Sequence, residues 1–273
     1  MPDRGNDRYE FYSAQYARFG SKLAAEIRRE AFGEDLGQQS WRTLAEQDEI
    51  AALIGQRPNT HLLDVACGSG GPALALAART GCRLTGIDIE ATGIAQAKDI
   101  SVALGLSHNA EFLVADCSQR LPLDDAAFDL VTCIDAILHF KDRNAALRDW
   151  FRLLRPGGSL LLTDAAILTG IVSKREIDIR ASQGEFSFVP PGINEKAIMS
   201  AGFALQKSVD ATQATADIAS RLRTVREARS EALQDEEGSE WFAKRQRFLK
   251  TTAELAASGR LSRFIYVAQK PAY

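Results

Sequence analysis

The stretch His61–Ala77, reading HLLDVACGSGGPALALA, constrains the fold of this chain more than any other. The apolar run Leu62, Leu63 and Val65 ends in a small-residue turn and passes straight into a helix-like Ala/Leu pattern. That succession is a buried parallel strand feeding a glycine loop and then a helix N-terminus. Gly68, Gly70 and Gly71 carry no Cβ, so the backbone can turn sharply there and come close to a ligand. The unpaired N–H groups of the helix starting near Pro72 face whatever that loop holds. A parallel strand of this kind needs helices on both faces, which makes the chain an α/β protein.

The 273 residues suit one α/β domain with a lid or appendage. A formal net charge of −3 exerts no pull toward nucleic acid or an anionic membrane, so neither is expected as a partner. The polar start MPDRGNDRYEFY has no signal-peptide core, and no apolar run spans a bilayer. Cys67, Cys82, Cys117 and Cys133 fall on or beside expected core strands, without a C-x-x-C or clustered histidines. They read as reduced thiols packed as small hydrophobes, the expected setting is cytoplasmic, and no metal is expected.

Taken in order, Tyr9 to Ala31 carries an amphipathic helical pattern, and Ala31–Trp41 reads as an exposed loop ending in an aromatic. Thr43 with Glu46 predicts a capping box for the helix LAEQDEIAALIG. Past the glycine loop, Cys82–Glu90 is a second strand with Asp88 at its carboxyl end, followed by a helix over Ile94–Leu104. AEFLVADC is a third strand closed by Asp116 and Cys117, and FDLVTCIDAILHF contains the fourth. RLLRPGGSLLLTD gives a helix end, a Pro-Gly-Gly turn and strand five. INEKAIMSAGFALQKSVDATQ supplies a helix and strand six, and RLSRFIYVAQKP supplies strand seven. Between them, residues 214–258 predict a helix pair divided at Gly238, with the acidic run Asp235–Glu237 on a solvated face.

The segment from Asp64 to Gly70 resembles motif I of the class I S-adenosylmethionine (AdoMet) methyltransferases, with Ala66 where a glycine commonly stands. The G-x-G-x-x-G of nicotinamide dehydrogenases is not met, because its sixth position, counted from Gly68, is Ala73. Five elements in family order and spacing extend the resemblance through the R-x-L-R-P-G-G turn. The resemblance implies a Rossmann-like, seven-stranded, mostly parallel sheet with antiparallel strand seven and helical N- and C-terminal lid elements. It implies AdoMet as cofactor and S-adenosylhomocysteine as product.

For the cofactor, Asp64, Ala66, Gly68 and Gly70 form the implied loop, and Asp88 stands where a carboxylate accepts both ribose hydroxyls. Ile89 would pack on the adenine. By resemblance, Asp116 faces the adenine amino group, the Cys117 N–H meets a ring nitrogen, and Ile134, Tyr16 and Trp41 complete the pocket. The expected divisions are an N-terminal lid over 1–50, a cofactor core over 51–165, and an acceptor lid with sheet completion over 166–273.

Methyl transfer from a sulfonium is an in-line displacement in which the protein aligns the nucleophile and excludes water. An alcohol, phenol or protonated amine also needs a base, and His139 in DAILH, just after strand four, is the candidate. DAILH resembles the corresponding motif of phosphoethanolamine methyltransferases. That likeness implies that Asp135 meets the acceptor and that Tyr12 or Tyr16 latches to His139. It also makes the FGED turn from Phe32 the start of a cofactor-covering loop. The lid ASQGEFSFVPP lacks the Arg and Tyr those enzymes use for phosphate. Phe186 and Phe188 instead predict a partly apolar pocket for a soluble small molecule. The leading reading is an O- or N-methyltransferase, monomeric or homodimeric. C-methylation of a quinone, sterol or prenyl-type substrate, with Glu185 as proton acceptor, stands beside it. So do a non-catalytic AdoMet-binding protein and a nicotinamide enzyme, the latter without a Ser/Tyr/Lys constellation.

Overall fold

The computed structural model describes residues 16, 18–55, 59–184 and 186–272. Tyr12 and Glu185 lie outside them. Among the described residues, seven strands form one sheet in the order β3-β2-β1-β4-β5-β7-β6. The strands are β1 (His61–Val65), β2 (Arg83–Asp88), β3 (Ala110–Val114), β4 (Phe128–Cys133), β5 (Leu154–Leu168), β6 (Ala204–Asp210) and β7 (Leu261–Gln269). Strands β1 to β5 run parallel, and β7 is antiparallel to both β5 and β6. This is the mostly parallel, Rossmann-like architecture expected. The order reverses at β1, whose neighbours are β2 and β4, so the crevice outside the strand carboxyl ends opens there.

Helices cover both faces because the central strands are buried on both; every residue of β1 is buried. Trp150 and Leu147 of α5 (Arg143–Leu153) join Val131 and Leu160 in one layer. On the other face, Leu74 and Leu76 of α3 (Gly71–Thr80) pack with Ile50 of α2 (Leu44–Gly55) and Ile94 of α4 (Ala91–Ala103).

Several local expectations change. Of the described residues in the N-terminal helical pattern, Tyr16 and Arg18 are helical, a turn follows at Phe19 and Gly20, and helix α1 covers Lys22–Phe32 with the Ser21 hydroxyl capping the Ala24 N–H. Ser21 competes for the backbone as an N-cap, which starts α1 after that turn instead of leaving one unbroken helix. Strand β5 runs from Leu154 to Leu168 through the Pro-Gly-Gly segment, and a register shift against β4 between Phe128 and Leu130 absorbs the irregularity. The expected helix pair is three helices, α8 (Thr212–Glu227), α9 (Ser230–Glu237) and α10 (Ser239–Ala257). Its acidic run is not wholly solvated, since Glu237 forms a largely buried ion pair with Arg226.

The N- and C-terminal helical segments share one core. Ile27 and Ala31 of α1 pack with Trp41, with Ile218 and Leu222 of α8, and with Phe242 and Phe248 of α10. Two short helices, α6 (Lys174–Arg180) and α7 (Ile193–Ser200), flank the segment between them. Helices from the N- and C-terminal parts of the chain thus form one packed helical unit.

Candidate active site

The site begins where β1 runs out. Asp64 is buried and accepts the Thr132 hydroxyl at 2.6 Å. Burial pushes its pKa up, against the opposing pull of Arg42 and Thr132. Ala66 then takes φ +56°, a left-handed conformation that costs a side-chain-bearing residue energy. This is the physical reason a glycine suits that position.

The three glycines of the loop have different neighbours. A Cβ on Gly68 would stand 2.6 Å from the Tyr16 hydroxyl, on the cavity wall. One on Gly70 would press on Phe112 and Ala97, so Gly70 serves helix–strand packing and does not line the cavity as expected for a cofactor residue. One on Gly71 would collide with the Leu36 carbonyl oxygen. The chain over that glycine is the 36–41 segment, which is thus a strap closed on the loop rather than the exposed loop expected. Within it, Leu36 N–H donates to the Gln38 side chain, Gly37 N–H donates to Asp35, and Asp35 pairs with Arg28 at 2.6 Å.

Asp88 secures the loop from the neighbouring strand. Its carboxylate accepts the Gly68 N–H at 2.8 Å and the Glu90 N–H at 2.9 Å. The cap of α4 is Glu90, which accepts the Thr92 N–H, so neither Asp88 nor Thr92 fills that role. Asp116 accepts the Ser118 N–H in a tight turn. Burial raises the Cys117 thiol to about 12 and the Cys67 and Cys133 thiols well above their ordinary value. These are inert side chains.

Past β4, Asp135 adopts φ +53°. Its carboxylate accepts the Trp41 N–H at 2.8 Å, the Thr163 hydroxyl at 2.7 Å and the Arg263 guanidinium at 2.7 Å. The other side of Arg263 meets Glu46 with two hydrogen bonds. Thr43 caps the Glu46 N–H as expected, but the Glu46 carboxylate is drawn to Arg263. Burial works to lower the Arg263 pKa, and the two carboxylates more than reverse it. Asp135 thereby ties the strap, β5 and β7 together.

His139 closes a short 3-10 turn over Ile137–His139. Its ring meets the Phe186 ring edge-on, centroids 5.0 Å apart. Phe186 is held close because the next residue is pinned at both backbone groups. The Ser187 N–H donates to the Leu138 carbonyl at 2.7 Å, and the Ser187 carbonyl accepts from Arg143, which pairs with Asp164.

A cavity of about 830 Å³ gathers these features, a size suited to a small-molecule site. Of the expected residues, Asp64, Ala66, Gly68, Asp88, Ile89 and Asp116 line it. Cys117, Ile134 and Trp41 do so as well, as do Asp135, His139, Tyr16 and Phe186. Phe188 packs 6.1 Å from Phe186 but is not on the wall. Tyr16, buried, rests its ring on Gly93 and its hydroxyl beside Gly68, over the glycine loop. Sequence reasoning missed Arg180, Arg245 and Phe248, which reach the wall from α6 and α10. Their one signal is the helical spacing Arg245–Phe248, easily read as an ordinary amphipathic face. His61 is instead a buried core histidine, bonded to Thr85 and tilted on Phe128.

Among the described residues, no cluster of His, Cys, Asp and Glu is arranged to hold a metal ion, and no helix is long and apolar enough to cross a membrane. A methyltransferase-domain family model matches residues 63–162. A 27-O-demethylrifamycin SV methyltransferase of Amycolatopsis mediterranei (strain S699) is 28% identical over 72% of this chain and 76% of its own length. Phosphoethanolamine N-methyltransferase 3 of Arabidopsis thaliana is 34% identical over 59% of this chain, and the match spans 31% of that longer protein. In three dimensions, a phosphoethanolamine N-methyltransferase 2 of Haemonchus contortus, complexed with phosphomonomethylethanolamine and S-adenosylhomocysteine, superposes with a TM-score of 0.78. That superposition covers 95% of this chain and 60% of the other at 19% identity, and it speaks for the fold.

Fold, glycine loop and relatives together support an AdoMet-dependent methyltransferase, with the methyltransferase-domain match lying over residues 63–162. Over 59% of its length the chain resembles a phosphoethanolamine methyltransferase.

Proposed function

We propose that this enzyme transfers the methyl group of AdoMet to an oxygen or nitrogen of a small-molecule acceptor, with His139 as the general base. The observation that carries the reading is His139 on the wall of the same cavity as Gly68 and Asp88. The residues fit the cofactor: Gly68 leaves a cradle that a Cβ would fill, and the buried Asp88 carboxylate stands at the end of β2. Gly68, Asp88, Ile89 and Asp116 would hold it, with Tyr16 and the strap closing over the loop. AdoMet, when bound, would supply a methyl carbon carried on a sulfonium for in-line transfer to the acceptor's lone pair, with S-adenosylhomocysteine as the leaving group.

His139 takes the proton that the acceptor O–H or N–H releases, a role suited to an imidazole whose ordinary pKa lies near neutral pH. Phe186 fixes the imidazole edge-on. Asp135, whose oxygens bond Trp41, Thr163 and Arg263, is assigned to positioning the strap rather than to meeting the acceptor. Residues 51–165 act as the cofactor half, and residues 1–50 and 166–273 supply the cap and acceptor wall. A small acceptor, rather than nucleic acid, agrees with the net charge of −3 and the partly aromatic wall of the cavity.

The test uses AdoMet with an isotopically labelled methyl and a panel of phenols, alcohols and amines. Label transfer by the wild type and its loss in His139→Gln, with S-adenosylhomocysteine binding unchanged, supports the base. Unchanged transfer by His139→Gln removes it.

A further inference from the structure

The cavity wall is charged differently along its length. Asp64, Asp88, Glu90 and Asp116 line it at or just beyond the strand ends, whereas Arg180 and Arg245 line it from the helices α6 and α10. The two guanidiniums flank one ring: their Cζ atoms lie 4.6 and 5.2 Å from the centroid of Phe248. Arg180 also lies 5.7 Å from Phe186, the ring that touches His139. Trp41 stacks on Phe248, centroids 6.2 Å apart and planes 15° from parallel. Arg180 is only 1% exposed and is set in place by the Thr252 hydroxyl at 3.0 Å and the Ala165 carbonyl at 3.4 Å. From His139 the wall thus reads imidazole, aromatic ring, guanidinium, aromatic ring, guanidinium.

A guanidinium is planar, permanently charged and forked to match a carboxylate or phosphate, and it stacks on aromatic faces without giving up its edge donors. Flat rings beside it favour a flat ligand. We infer that the acceptor is an aromatic or conjugated acid, whose nucleophilic atom faces His139 while its anionic group lies toward Arg180 and Arg245. This deepens the methyltransferase reading and rests on it. The two arginines come from α6 and α10, outside the segment ASQGEFSFVPP, which supplies none.

The test is calorimetric titration of the full chain saturated with S-adenosylhomocysteine, using 4-hydroxybenzoate and its neutral counterpart 4-hydroxybenzamide as probes. The benzoate is expected to bind at least about tenfold more tightly than the amide, as a charge-assisted contact requires. Arg245→Gln should erase that preference and Arg245→Lys should keep part of it, since Lys retains the charge without the fork. Arg245 is the better probe because Arg180 is built into the core and its replacement risks the fold. Equal binding of the two probes, a preference that survives Arg245→Gln, or no binding of either would overturn the inference. Saturation with S-adenosylhomocysteine is measured first; its failure would strike the cofactor reading instead.

Discussion

Asp88 and Arg180 are both charged, both buried and both on the wall of the same cavity, yet the chain places them by different means. Asp88 bonds the Gly68 backbone twenty positions away, within one strand–loop–helix–strand unit. Arg180 is held by Thr252 on α10, seventy-two positions away, and its neighbours Phe186, Phe248 and Trp41 come from three separate segments. The proposed cofactor half is local and built largely of backbone and carboxylates. The proposed acceptor half is long-range and built of side chains, aromatic and basic. A half built of backbone geometry tolerates little variation, whereas a half built of side chains can be refitted to a new acceptor without disturbing the first.

Substitutions separate the halves. The largest effect is expected at their junction: His139→Gln should lower turnover by about 10²- to 10⁴-fold. Affinity for S-adenosylhomocysteine should stay as it was, and a parallel fall in that affinity would merge the two halves into one. Next, Asp135→Ala removes a partner from the fully buried Arg263 and should destabilise the fold by about 3 kcal/mol, toward the lower end for a broken buried pair because Glu46 remains. Chemical denaturation reads this, and an unchanged midpoint would show that Asp135 ties nothing together. Gly71→Ala forces the strap off the loop at the Leu36 carbonyl, at a cost of about 1–3 kcal/mol. Faster release of S-adenosylhomocysteine in stopped flow is the expected sign, and an unchanged rate would mean the strap does not cover the cofactor.

The smallest effect lies away from the cavity. Burial, with Arg83 adding to it, lowers the His61 pKa from 6.5 to about 4. The folded state therefore favours the neutral ring, so its contribution is full above about 6.5 and is lost as pH falls from there through about 4. His61→Gln should flatten the pH dependence of stability across that interval while leaving cofactor affinity untouched. An unaltered profile would assign the acid sensitivity elsewhere.

The same contrast explains what can be read from the residues alone. The strands and the glycine loop follow from apolar runs and turn signals that are contiguous in the chain, the antiparallel β7 follows from the family resemblance, and these appear as expected. Positions such as Ala66, Asp88 and Asp116 are legible because motif spacing and strand register coincide there. The strap reads as exposed because Leu36 is the only large apolar residue between Phe32 and Trp41; the segment is held by hydrogen bonds such as Gln38 to the Glu34 carbonyl. The start of α1 at Ser21 turns on one capping hydroxyl against a longer helical pattern. The tie between Asp135 and Arg263 is not legible in the motif because Arg263 comes from β7, 128 positions on. Arg180, Arg245 and Phe248 carry no motif at all, and only the packing of α6 and α10 brings them to the wall.

The most direct measurement is calorimetric titration of S-adenosylhomocysteine into the wild type, Asp88→Ala and Arg245→Gln. The account predicts micromolar-range binding by the wild type, the same affinity in Arg245→Gln, and binding weakened at least about a hundredfold in Asp88→Ala. Wild-type affinity retained by Asp88→Ala, or lost equally from Arg245→Gln, would contradict the division of the cavity into a cofactor half and an acceptor half.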